Sequence, residues 1–113
     1  MKRDMELCRR ILIELESKPF STGLIEIEFD DVSPEEVAYH IKLLKEAGLI
    51  DAEDISTMGR LRWRAKSITW NGHDFIEAIK DDSRWSKAKD FVIESGKVVT
   101  LETIKLAVKS LFL

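Results

Sequence analysis

The sequence predicts an α+β fold, and three observations lead there. Apolar residues recur at helical spacing behind good capping residues, a strict two-residue alternation runs from Leu24 to Phe29, and a second one from Arg60 to Lys66 follows a turn signal. The 113 residues fit one domain, 1–113, able to bury a core without disulfide or metal staples. Its expected organisation is a core over about 3–80 and a C-terminal helical extension over about 83–112. A hydrophobic share of 44% against 35% charged residues excludes a disordered chain.

Residues 3–17 carry Met5, Cys8, Ile11, Leu12 and Leu15 on one helical stripe, and Pro19 stops the helix. From 24 to 29, Ile25, Ile27 and Phe29 share one strand face while Glu26 and Glu28 take the other. Ser33 is an N-cap, Pro34 suits the first helical position, and Glu36 stands where a capping-box carboxylate belongs. That helix should run to Ala47 and end on a left-handed Gly48, burying Val37, Ile41, Leu44 and Ala47 with His40 at the stripe's edge. Leu49, Ile50 and Ile55 suggest a short strand, and Ser56 to Gly59 a turn. Arg60 to Lys66 then forms a strand with a basic face and an apolar face. Thr69 caps a helix from about 70 to 81, Ser83 a second ending at Gly96, and Thr100 a third carrying Leu101, Ile104, Val108 and Leu111. Trp63, Trp70 and Trp85 each fall on an apolar face and are expected in the core.

The run Tyr39-His40-Ile41-Lys42-Leu43-Leu44-Lys45-Glu46-Ala47-Gly48-Leu49-Ile50 resembles the end of a recognition helix entering the first wing strand of a winged-helix domain. Ile68-Thr69-Trp70-Asn71-Gly72-His73 resembles the step that follows the wing in many bacterial regulators. The resemblance implies a winged-helix-like α+β domain (helix, strand, helix, two-stranded wing) with additional C-terminal helices. Met1-Lys2-Arg3-Asp4-Met5, the Tyr39–Ile50 run, Trp70 to Phe75 and Ala78 to Asp82 also resemble an uncharacterised bacterial and phage family, a domain of unknown function. That likeness implies a bacterial or prophage origin and supplies no activity. One departure stands out. Residues 18–32 hold a strand and an acidic loop where a winged helix has the helix that contacts phosphate backbone.

The net charge of −3 means that any nucleic-acid contact must rest on local charge. Arg60, Arg62, Arg64 and Lys66 place four cations on one strand face. If the early strand pairs with this one, Glu26 and Glu28 come to lie beside Arg62 and Arg64 and neutralise them, leaving Arg60 and Lys66 free. Tyr39, Lys42 and Lys45 could reach DNA from the recognition-like helix, whose outer face also carries Glu35 and Glu46. These seven residues are the DNA-binding candidates, and the expected partner is double-stranded DNA in a transcription-regulator-like role. The rival expectation is a protein-interaction module on the same scaffold that has lost its nucleic-acid surface.

No enzymatic activity is expected. His73 and Asp74 are adjacent in a helix and cannot face each other, and no second ligand stands at metal spacing. Neither catalytic residues nor a metal, cofactor or small-molecule substrate is evident. Cys8, the sole cysteine, excludes an internal disulfide and suits the cytoplasm, and no apolar run approaches membrane-spanning length. The C-terminal helices either form a homodimer or fold back on the first helix.

Overall fold

The computed structural model describes residues 1–19 and 23–113. Helix α1 (Met5–Ser17) starts where Asp4 accepts hydrogen bonds from the Glu6 and Leu7 amides. All five residues of its expected stripe are buried, and Leu7 joins them. Helix α2 (Pro34–Glu46) is capped by Ser33, whose hydroxyl accepts the Glu36 amide at 3.2 Å. It ends one residue earlier than its pattern suggests, and Gly48 adopts the left-handed turn at φ +77°.

Strands β1 (Ile50–Asp54) and β2 (Trp63–Ile68) form an antiparallel hairpin. The second strand therefore begins three residues later than Arg60. The Thr57 and Arg60 backbones close the turn instead, and Ser56 Oγ both accepts the Arg62 amide and donates to the Arg62 carbonyl. A bulge leaves Lys66 without a partner opposite it, since Asp51 faces Ser67 and Ala52 faces Ala65.

The 24–29 strand is corrected. Among the described residues, only Ile25 of this segment pairs, its amide donating to the Ala65 carbonyl at 2.7 Å. The two-residue alternation survives in burial, with Ile27 buried, Ile25 and Phe29 half-buried, and Glu26 and Glu28 exposed. The far end of the segment meets α1 instead. Arg10 forks the Asp31 carboxylate with two 3.0 Å bonds, and its guanidinium lies 4.3 Å from the Phe29 ring centre. Those contacts draw the far end of the segment toward the helix and away from β2.

Helix α3 (Trp70–Ile79) follows the hairpin, α4 (Asp82–Glu94) comes next, and α5 (Leu101–Phe112) closes the chain. Two sequence expectations shift here. Asp81 rather than Ser83 caps α4, because its carboxylate accepts the Ser83 amide at 2.7 Å. Trp70 is 84% exposed, because it opens α3 about 200° round the helix from Gly72, the nearest core-facing residue. Thr100 and Thr103 form a reciprocal capping box. The last helix packs on α3 and α4, with Leu101, Ile104 and Val108 buried and Leu111 exposed.

One cluster of buried side chains draws on every helix, both strands and Ile27. The architecture is α+β with a winged-helix-like layout. Among the described residues, no helix is long and apolar enough to cross a membrane.

Candidate functional site

The hairpin row is where sequence reasoning placed the functional question, and its cations are largely engaged. Glu26 sits 3.4 Å from Arg64 and 3.9 Å from Arg62, so one carboxylate serves two guanidiniums. Glu28, the other expected partner, makes no ion pair among the described residues, and its end of the segment lies against α1. Lys66 was expected free but lies 3.3 Å from Glu53. Its bulged position brings it beside the acid that pairs with Arg64 in the ladder. Among the described residues, no ion pair holds Arg60, which is exposed beside the hairpin turn.

The α2 candidates are more scattered. Lys45 lies 3.6 Å from Asp51, and Tyr39 is half-buried with its ring edge-on to His40. Lys42 makes no ion pair among the described residues. Hydrogen bonds from Ser56, helped by the Lys42 charge, hold the Asp54 carboxyl below the usual range. The seven DNA candidates thus do not form one free cationic surface. The outward side of α2 and the loop before it also carry Asp30, Asp31, Glu35 and Glu36, all exposed.

His40 is a structural histidine. It is 1% exposed, Nδ1 faces the Glu36 carbonyl at 2.7 Å, and Nε2 faces the Asp4 amide at 2.9 Å. A carbonyl can only accept and an amide can only donate, so the ring donates from Nδ1 to Glu36 and accepts at Nε2 from Asp4. It thereby ties the cap of α1 to the first turns of α2. Cys8 is buried in the core, and burial followed by the Asp4 charge pushes its thiol up to about 12. His73 and Asp74 are both exposed.

Beside the row lies a cleft of about 730 Å³, which sequence reasoning missed. One wall is the 26–31 segment with Ser33, Pro34 and Glu35. The other is 60–64 of the hairpin, and Val37 and Ala38 of α2 also line it. Its origin is the incomplete third strand. The Ile55 amide donates to the Arg62 carbonyl, so Arg62 and Arg64 turn their main-chain groups to β1. Leu61, Trp63 and Ala65 turn theirs the other way, where the Ala65 carbonyl accepts the Ile25 amide. No hydrogen bond joins 26–29 to Leu61 or Trp63 among the described residues. Among the described residues, Trp63 Nε1 and Arg64 Nε are also buried without a hydrogen-bond partner. The charge runs (Glu26 and Glu28 against Arg62 and Arg64) pointed to a zipped pair of strands. The signal against it was Arg10, which meets Asp31 only in three dimensions.

Fold and cleft define a winged-helix-like α+β protein whose hairpin leaves one edge partly unpaired. The chain belongs to the family described as "Hypothetical protein (DUF2513)", which matches residues 2–98. It is 37% identical over 106 residues to an uncharacterized protein of Haemophilus influenzae, covering 93% of this chain and 90% of that protein. No solved structure matches it.

Proposed function

We propose that this protein is a protein-interaction module built on a winged-helix-like scaffold, not an enzyme. The observation that carries the reading is the engagement of Arg62 and Arg64 by Glu26 and of Lys66 by Glu53. A wing binds phosphate by releasing counterions from free cations, and cations already paired with carboxylates release few. Exposed acids at the start of α2 add repulsion where a recognition helix would enter a groove. A cytoplasmic setting suits the buried, unpaired Cys8.

DNA binding in a regulator-like role is the competing reading, and Arg60 and Lys42 favour it as cations without ion pairs among the described residues. Fluorescence anisotropy with a labelled duplex, read from 20 mM to 300 mM salt, separates the two. The interaction-module reading expects no binding at 150 mM salt. Affinity that falls steeply with salt, with a slope made shallower by Arg60→Ala, would overturn it. Homodimerisation through the exposed outer face of α5, with Leu106, Leu111 and Leu113, is compatible with either reading and is read by sedimentation.

A further inference from the structure

The geometry points to the cleft as a docking site for an extended, basic segment of a partner protein, which adds to the outer edge of β2. This rests on the interaction-module reading and names its site and ligand class.

Two independent features select that occupant. The first is the main chain. Leu61 and Trp63 present amides and carbonyls outward at strand spacing, and the segment that should pair with them is drawn off by Arg10. An edge of this kind is completed by another strand, whose own backbone supplies the missing partners. A folded helix or a nucleic-acid backbone cannot supply that alternating pattern. The half-buried Leu61 and Trp63 side chains favour apolar residues at every second position of the incoming strand.

The second feature is charge. Once Glu26 is assigned to Arg62 and Arg64, and Asp31 to Arg10, the lining retains Glu28, Asp30 and Glu35 without ion pairs among the described residues. Arg60 is the one lining cation without an ion pair there. The open charge is therefore mainly negative and sits on the wall facing the β2 edge. Lysine or arginine side chains between the apolar positions of the occupant would meet it. Cations there also disfavour the same cleft as a phosphate site.

The test uses the full chain and labelled six-residue peptides of alternating valine and lysine, read by anisotropy together with amide hydrogen exchange. The expected result is saturable binding that slows exchange at Leu61 and Trp63. Placing proline at the two central positions of the peptide should weaken binding at least about tenfold, because proline has no amide to donate. Glu28→Lys combined with Asp30→Lys should also weaken it about tenfold and transfer preference to a valine–glutamate peptide. Both positions are exposed, so the variant is expected to fold, and a circular dichroism melt checks this.

Unchanged exchange at Leu61 and Trp63, equal binding of the proline peptide, or no reversal of preference would overturn the docking site. Protection mapped to α5 instead would overturn it while leaving the interaction module standing. Salt-steep duplex binding in the experiment above would remove the module itself.

Discussion

Replacing Gly72 with alanine gives opposite signs from local and tertiary reasoning. Gly72 lies inside α3, where alanine is better than glycine by about 1 kcal/mol on helix propensity alone. A Cβ built at this position would stand 1.9 Å from the Leu49 carbonyl oxygen and 2.8 Å from Ile68 Cγ2. The first of these is backbone at the entry to β1, and it already accepts the Thr69 amide at 3.1 Å. It cannot swing aside like a side chain, so helix and strand must part by about 1 Å or more to reach an ordinary contact. Overpacking of this kind costs about 3 kcal/mol or more, and strain on the Thr69 cap adds about 1 kcal/mol. Net of propensity, Gly72→Ala should destabilise the fold by about 3 kcal/mol or more, lowering the melting temperature by roughly 12 °C or more. Urea unfolding followed by far-UV circular dichroism measures this, with Thr69→Ala as the cap-only control. A variant equal to or more stable than the wild type would refute the close approach of α3 to β1.

Two further outcomes bear on how the helices are held. Arg9 donates from Nε to the Ile79 carbonyl and from Nη2 to the Lys80 carbonyl and Asp82, at 3.0, 2.9 and 2.7 Å. Arg9→Ala should cost about 1.5–3 kcal/mol in urea denaturation, and Arg9→Lys should recover little, lacking the planar fork. Glu6 accepts Trp85 Nε1–H at 2.9 Å and pairs with Lys89. Burial raises its carboxyl, but hydrogen bonds from Lys89 and Trp85 and the charges of Lys89 and Arg9 outweigh it, leaving a net lowering. A lowered folded pKa contributes stability that is full above the ordinary carboxylate range and is lost as pH falls through the folded value. The gap in urea midpoint between wild type and Glu6→Gln should therefore shrink from pH 7 to pH 3, and a constant gap would refute the assignment.

The helices were legible because their signals are local. Ser33, Thr69 and Thr100 cap as their spacing implies, and the buried stripes of α1 and α2 follow the 3.6-residue period. What the sequence misplaced depends on contacts between distant segments. The 24–29 alternation describes which residues are buried, but pairing also depends on what pulls on the ends, and Arg10 lies 21 positions from Asp31. Lys66 finds Glu53 through a bulge, which has no glycine or proline to announce it. Trp70 shows the limit of reading aromatics by neighbourhood, since the first residue of a helix can point away from the stripe that follows. Arg9 is a staple because the end of α3 lies above it, a meeting of segments about 70 residues apart that local patterns do not show. The cleft was hidden for the same reason as the missing strand.

The Thr69 hydroxyl donates to the Gly48 carbonyl at 2.7 Å and accepts the Gly72 amide at 3.0 Å, while the Thr69 amide bonds to the Leu49 carbonyl. These bonds close the loop between residues 48 and 69 at its base. The exposed tip beyond that latch, Ser56 to Arg60, can change length or composition while the two ends stay pinned. Evolution, or a protein engineer, is thereby handed an interchangeable tip: the turn can be lengthened, shortened or recharged while the strands keep their buried residues and the helical body beneath them keeps its shape.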